Sequence, residues 1–142
     1  MNPPSDDAHR LIGLESLLRR MHRCRTPQEA VELVRRFLPD LARGGDSSLF
    51  ILAEDDRVIG LDVRTRPLWP LAAEAISEQR TVRGPDGTAV AMWVPSGGAI
   101  SVKAPTRLVL DEVRMLELFA EHAASALRRP GMRSSAPASG LG

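Results

Sequence analysis

The sequence contains one cysteine, Cys24, in a chain of 142 residues. A single thiol excludes an intramolecular disulfide and any metal site built from four cysteines. Long apolar runs are missing too: the longest covers Ala89–Val94, well short of the roughly 20 residues that a membrane-spanning helix needs. The chain opens on polar residues and prolines rather than on a basic start followed by an apolar segment. Secretion therefore has no support in the sequence, and we expect a cytoplasmic protein.

Charge of one sign is also scarce in this sequence. Lysine and arginine total 19 residues and aspartate and glutamate total 18, which leaves a formal net charge of +1. Positive charge does gather on the first predicted helix, at residues His9, Arg10, Arg19, Arg20, Arg23 and Arg25. Such a surface suits nucleic acid phosphates, but no aromatic residues are interspersed among these cations. Nucleic acid is therefore not favoured as a partner.

Two helices are predicted near the start of the chain, after a flexible leader of residues 1–6. From Asp7 onward, apolar residues recur at the spacings of three and four that are typical of an amphipathic helix: Leu11, Leu14, Leu18 and Met21. A second helix is predicted to begin at Thr26–Glu29, where an N-cap threonine, a proline at the first helical position and a glutamate at the third form a capping box. Pro39 should end or kink this helix, and Gly44–Gly45 should close the segment.

Two strands should follow, at Leu49–Ala53 and Val58–Val63, and the polar turn between them indicates a hairpin. Both runs are apolar on both faces, which implies that other elements cover each side of the sheet. A short helix is predicted over Leu71–Gln79. Thr81–Val82 should form at most a short strand.

The last part of the chain predicts two more strands, Ala89–Val94 and Ala99–Lys103, and a long helix from Asp111 to Arg129. Residues 130–142 are mostly glycine, proline, serine and alanine, a composition that predicts a disordered tail. Strands joined by short polar turns pair antiparallel, and the helices bracket them along the chain. The fold class is therefore α+β with a central antiparallel sheet, in one domain over residues 7–129.

The final third of the chain runs from an apolar strand at Ala99–Val102, through Pro105 and Arg107, into a helix with an acidic start at Asp111–Leu127. This segment resembles the closing segment of a GAF domain. That segment runs through a glycine, an apolar strand, an arginine and an acidic helix start into a helix of the pattern LLExFAxxAAxAL. Ala91–Pro95 is similar to the family's VP strand, and Ala75–Gln79 is similar to its short helix. The residues that match the closing segment are Ala99–Val102, Pro105, Arg107 and Asp111–Leu127.

The resemblance implies a sensory or regulatory module. It implies that the N- and C-terminal helices pack on one face of the sheet, where many members pair with a second subunit. It also implies that any small-molecule ligand binds on the opposite face, under loops and the short helix. The segment between Val63 and Ala89 is shorter than the family's ligand-covering loops usually are. The candidate ligand-binding residues are Phe50, Trp69, Met92 and Trp93.

The last predicted helix carries two apolar stripes. One stripe should face the sheet and consists of Val113, Leu116, Ala120, Ala123 and Leu127. The other comprises Met115, Leu118, His122 and Ala126, where solvent is expected, and an apolar stripe there usually means that another helix covers it. The alternative is that the first two helices of the same chain cover Met115 and Leu118. The candidate dimer or partner interface is Leu11, Ile12, Met115, Leu118 and His122.

No arrangement of catalytic or metal-binding residues emerges from the sequence. Cys24 lies at a helix end rather than at the pocket position used by the chromophore-binding members of the family, and one cysteine cannot form the disulfide of the methionine-sulfoxide reductases. The histidines His9, His22 and His122 lie on or near the terminal helices, so an axial haem ligand is not expected on the pocket side. We therefore predict no cofactor, no metal site and no catalytic residue.

These patterns together predict a non-catalytic GAF-like regulatory module that acts through homodimerisation or through docking on a protein partner. One alternative is a GAF domain that senses a nucleotide or another metabolite. A second is a roadblock-like interaction module, which has a similar order of helices and strands. The capped helix at Thr26 and the pattern over Leu116–Leu127 favour the GAF-like interpretation. No membrane contact is expected.

Overall fold

The computed structural model describes residues 6–41, 45–95 and 97–128, and within these ranges it describes side chains from Gly13 onward. The predicted tail and all but the last residue of the predicted leader lie outside the described residues, as does Gly44. The elements are α1 (Asp6–Arg23), α2 (Pro27–Leu41), β1 (Asp46–Leu52), β2 (Val58–Ile59), a 3-10 turn (Arg66–Leu68), α3 (Trp69–Glu78), β3 (Val82–Arg83), β4 (Ala89–Val94), β5 (Gly98–Lys103) and α4 (Leu110–Leu127).

The five strands form one antiparallel sheet in the order β2-β1-β5-β4-β3. The last strand in sequence, β5, lies at the centre, where it pairs with β1 on one side and β4 on the other. The β1–β5 pairing runs from Asp46 opposite Lys103 to Ile51 opposite Gly98. The predicted hairpin is also present, with Ile51 opposite Ile59. The predicted α+β class with an antiparallel sheet is confirmed.

The helices divide between the two faces of the sheet. On one face, α2 packs against β1 and α4 packs against β4, while α1 contacts both of these helices. On the other face, α3 alone among the four helices packs closely on β4 and β5 within the described residues. We call these the helix-layer face and the α3 face. The N- and C-terminal helices therefore share one side of the sheet, as expected.

The start of α2 follows the predicted capping pattern with a shift of one residue. The Thr26 hydroxyl accepts a hydrogen bond from the Glu29 backbone N–H at 3.1 Å. The Glu29 carboxylate reaches back to the backbone N–H of Arg25, at 2.7 Å, rather than to that of Thr26 itself. Two backbone donors at the beginning of the helix are thus satisfied by side chains.

The prediction was that Pro39 ends or kinks α2; the helix does not end there but continues to Leu41. A proline in a helix removes one backbone hydrogen bond and places its ring against the carbonyl of the preceding turn. Here the loss falls in the last turn of α2. Leu38 and Leu41 are buried in the core on either side of Pro39, and their burial holds that turn in place.

The second strand is much shorter than predicted: it covers Val58–Ile59 and not Val58–Val63. Gly60 follows with φ +100°, a left-handed conformation that takes the chain out of the strand. The chain then turns around Asp62, and Val63 is 79% exposed. Val63, the last residue of the predicted strand, therefore lies in a solvent-facing turn.

Other element boundaries moved by a few residues. β1 begins at Asp46, three residues before the predicted start, and buries Ser47 and Ser48. Ser47 satisfies its hydroxyl by donating to the Val34 carbonyl of α2 at 3.0 Å. The short helix α3 begins at Trp69, two residues early, directly after the 3-10 turn. The boundaries differ from the prediction where side-chain hydrogen bonds or local turns, rather than the apolar pattern, determine where an element begins.

Candidate functional site

The α3 face carries a compact cluster in which Phe50 of β1 meets Trp69 of α3. The two ring centroids lie 5.3 Å apart with an angle of 63° between the planes, an edge-to-face contact. Around them lie four fully buried alanines, two on α3 and two on the sheet: Ala72, Ala75, Ala91 and Ala99. Because alanine side chains are small, α3 approaches the sheet closely. The chain's own side chains therefore fill this part of the face that the GAF resemblance reserves for a ligand.

The four candidate ligand-binding residues do not form one group. Phe50 and Trp69 touch, whereas Met92 belongs to the core beneath the helix layer on the other face. Trp93 is half-buried and, by the alternation of a strand, points away from the face that Met92 occupies. The structure brings Phe50 and Trp69 together and separates Met92 from both.

A cavity of about 300 Å³ lies at the outer edge of β4, beside the end of β3. Met92 and Ala120 contribute buried apolar walls, and Glu117 and Glu121 of α4 contribute carboxylates. The Thr81 hydroxyl donates to Glu117 Oε2 at 2.5 Å, which ties the segment before β3 to α4. The cavity is lined by Arg80, Thr81, Met92, Trp93, Pro95, Glu117, Ala120 and Glu121.

Sequence reasoning missed the polar part of this cavity. Thr81 and Glu117 are 36 residues apart in sequence, and each alone reads as a residue of a polar surface. Only the packing of α4 against β4 brings them together. A threonine before a two-residue strand gives no local signal, so no pattern in the sequence would have found this pair.

A second cavity, of about 160 Å³, lies between α1 and α2. The Arg20 guanidinium lies 4.4 Å from the centre of the Phe37 ring at its wall, a cation–π contact. Part of the positive charge that gathers on the first helix is thus directed at the second helix of the same chain. The remaining lining residues are Gly13, Ser16, Leu17, Asp40 and Leu41.

A third cavity, of about 140 Å³, lies where α2 meets the turn after β2. Arg35 enters its wall from α2 and bonds Asp62 through Nη2 at 3.1 Å, while its buried Nε has no hydrogen-bond partner in the described part of the chain. Arg35, Arg64 and Asp46 line this space, and Arg35 is paired with Asp62, which lies outside the lining. The charges balance, so neither anions nor cations are favoured.

The sheet-facing stripe predicted for α4 is buried throughout: Val113, Leu116, Ala120, Ala123 and Leu127. On the second stripe, Leu118 is 43% exposed and His122 is exposed, whereas Met115 is half-buried against the core beneath the helix layer. Ala126 is fully buried, so its predicted solvent exposure was wrong. An 18-residue helix between a sheet and a second helix buries more than one stripe, and Ala126 lies on the side covered by neighbouring elements. The side chains of Leu11 and Ile12 lie outside the described residues.

Potential metal ligands are not clustered in the described part of the chain. Among those residues no group of three histidine, cysteine, aspartate or glutamate side chains is placed to hold a metal ion. Cys24 is buried at the end of α1, and its thiol lies 3.4 Å from the Arg20 carbonyl. In residues 6–41, 45–95 and 97–128, no helix has the length and apolar character to cross a membrane.

No protein-family model matches the sequence, and no curated protein matches it significantly. Among solved structures, the chain is similar to the crystal structure of the GAF domain of the potassium sensor histidine kinase KdpD from Escherichia coli. The two chains are 14% identical with a TM-score of 0.67, over 84% of this chain and 93% of the other. The chain therefore has a GAF-like fold, and the resemblance of its closing helix to that family is confirmed at the level of the fold.

Proposed function

We propose that this chain with a GAF-like fold is a non-catalytic regulatory module that acts through its own dimerisation or through docking on a protein partner. The observation that carries the proposal is Leu118, a large apolar side chain 43% exposed on a helix whose sheet-facing stripe is fully buried. Exposed apolar surface on a helix that already has a core face favours contact with another protein. Exposed His122 lies one turn further along the same helix.

The packing of the α3 face supports docking rather than ligand binding. Phe50, Ala91 and Ala99 are fully buried beneath α3, so a ligand bound there would have to displace the chain's own core. The similar GAF domain belongs to a potassium sensor histidine kinase, which is a signalling protein. A regulatory role is the function that we propose on that likeness.

Light scattering on the wild type and on Leu118→Glu tests the dimer. At tens of micromolar protein we expect the wild type to be a dimer and the variant a monomer, because a carboxylate in the seam is buried without a partner. Leu110→Glu is the matched control, since Leu110 is also an exposed leucine of α4, at the start of the helix where a carboxylate suits the dipole. A wild type that is already monomeric rejects dimerisation and leaves docking on a different protein.

Sensing of a small molecule is the second candidate, and the cavity of about 300 Å³ beside β4 is the observation that favours it. Its size suits a small metabolite. A thermal-shift screen with pooled nucleotides and metabolites is the test, because a ligand that binds only the native state raises the unfolding midpoint. The roadblock-like alternative is not favoured, since the chain has the GAF-like arrangement of α1, α2 and α4 on one face.

A further inference from the structure

The outer edge of β4 is only partly covered by β3. The ladder between them contains Val82 opposite Ala91 and Arg83 opposite Val90, and it does not extend past Ala91 toward Trp93. The next backbone N–H toward the N-terminus that would extend it, that of Arg80, donates instead to the Ala75 carbonyl at 3.3 Å. In an antiparallel strand, alternate residues direct their N–H and C=O groups to the same neighbour. The Gly84 N–H donates to the Ala89 carbonyl at 2.9 Å, so the backbone groups of Ala89, Ala91 and Trp93 all point to the β3 side. Those of Trp93 lie beyond the end of β3.

The Thr81 side chain shows toward which face of the sheet a residue opposite Met92 directs its side chain. Extending the register of β3 by one residue places Thr81 opposite Met92. The Thr81 hydroxyl bonds to Glu117, so a side chain opposite Met92 points toward α4. The next position on that face lies opposite Val94. β3 supplies no residue there, because Gln79 adopts a left-handed conformation at the end of α3 and the chain turns away.

The cavity of about 300 Å³ lies at this place and has an apolar interior with an acidic rim. Met92 and Ala120 are buried in its walls, and Glu121 follows Glu117 by one helical turn. Arg80 is the one cation among the lining residues, and its guanidinium is paired with Glu78 at 2.5 Å. None of the ion pairs within the described residues involves Glu121. The rim therefore complements a positive charge.

We propose that this edge binds an extended peptide segment of a partner protein through an arginine or lysine side chain. The segment continues the β3 side of the sheet opposite Trp93 and exchanges backbone hydrogen bonds with it, as in strand addition to a sheet edge. The basic side chain, opposite Val94, lays its apolar stem along Met92 and Ala120 and brings its charged end to Glu121 and Glu117. This inference rests on the partner-docking form of the proposed function and names the partner's chemistry.

The test uses fluorescence anisotropy with the full chain and a labelled, end-blocked hexapeptide of alternating threonine and valine with one central arginine. We expect saturable binding that weakens about threefold in Glu121→Gln, because one exposed charge pair is lost. Replacing the peptide arginine with citrulline, which has nearly the same shape and no charge, should weaken binding about tenfold, since it loses both carboxylate contacts. Methylating the backbone nitrogens of the peptide should also weaken binding, because strand pairing needs those donors.

Two control variants separate this surface from others on the chain. Glu74→Gln removes an exposed carboxylate from α3, and Glu54→Gln removes one from the turn between β1 and β2. Both should leave the affinity for the arginine peptide unchanged. Loss of binding in Leu118→Gln with full retention in Glu121→Gln would place the peptide on the dimer face and reject this site while leaving the proposed function intact.

Three further results overturn the proposal. The first is the absence of binding at millimolar peptide. The second is equal affinity for the arginine and citrulline peptides, which removes the role of charge. The third is displacement of the peptide by N-acetylarginine amide at an equal concentration, which would make the cavity a site for a small organic cation rather than for a strand.

Discussion

The guanidinium of Arg35 in α2 reaches the carboxylate of Asp62 at 3.1 Å, across the turn that follows β2. The same carboxylate accepts hydrogen bonds from the backbone N–H groups of Arg64 and Thr65, at 2.8 and 3.0 Å. The Thr65 hydroxyl, in turn, donates to the Gly60 carbonyl at 2.7 Å. One carboxylate thus holds the turn closed and attaches it to the helix layer.

Stability should depend on pH through Asp62. Hydrogen bonds from Thr65, together with the charge of Arg35, lower the pKa of Asp62 below its ordinary value of 3.8. A carboxyl whose pKa is lowered by folding stabilises the native state above its unfolded pKa and loses that contribution as pH falls through the folded value. Asp62→Asn should therefore lower the urea midpoint at pH 7, and the difference from wild type should shrink below about pH 4. A difference in urea midpoint that stays constant from pH 7 to pH 3 would contradict this prediction. The control is Glu54→Gln, which removes a carboxylate from the turn between β1 and β2.

Removing the cap of α2 should destabilise the fold measurably. Thr26→Ala leaves the Glu29 backbone N–H without its side-chain acceptor, and the loss of an N-cap side chain costs about 1 kcal/mol. Thr26→Ser keeps the hydroxyl and should stay close to wild type. Urea unfolding of the three proteins measures the effect, and equal midpoints for alanine and wild type would show that this hydrogen bond contributes nothing to stability.

Gly60 should tolerate no side chain. A Cβ there would lie 2.1 Å from the Leu49 carbonyl oxygen, and its φ of +100° is strained for any L residue. We expect Gly60→Ala to lower the free energy of unfolding by about 2 kcal/mol or more, because the strand edge of β1 must move to admit the methyl group. Gly13→Ala is the control, since its Cβ would meet only the end of the Leu41 side chain within a helix. Circular dichroism during thermal unfolding distinguishes the two, and equal midpoints would reject the assigned conformation.

Phe50 should behave as a core residue. It is fully buried and packs edge-on against Trp69, so Phe50→Ala should cost about 3–5 kcal/mol, the usual cost of emptying a large aromatic site. Phe50→Leu should cost clearly less, since much of the volume remains. Chemical denaturation gives both values. A ligand-wall residue would give the opposite pattern, with little loss of stability in either variant.

Much of the fold could be predicted because its signals are local. The capping box at Thr26–Glu29, the apolar run of β4 and the periodicity of α4 each fix an element from adjacent residues. The errors occur where distant groups decide the structure. Val63 has the apolar character of a strand residue, but a hydrogen bond between Thr65 and Asp62 closes a turn that contains it. Pro39 has the signal of a helix end, and burial of Leu41 overrides it.

The candidate sites were harder to predict than the fold. The sequence grouped Met92 and Trp93 with Phe50 and Trp69, whereas in the structure Met92 and Trp93 line the β4 cavity and Phe50 packs against Trp69 on the α3 face. The exposure of Leu118 could be predicted, because helical periodicity assigns a face to every residue of α4. The acidic rim of the β4 cavity was not found, because Glu117 and Thr81 acquire a shared role only when α4 lies on the sheet.

The central place of β5 sets the order in which this chain can complete its core. Leu49, Phe50 and Ile51 of β1 obtain their main pairing partner only when residues up to Ile100 are available, because Leu49 meets Ile100 and Ile51 meets Gly98. A ribosome adding about 5–20 residues per second therefore leaves an apolar strand without that partner for several seconds. Pairings so distant in sequence also slow folding, because the loop between them must be closed first. During synthesis, β1 is therefore an apolar segment that stays unpaired with β5 until the chain reaches that strand.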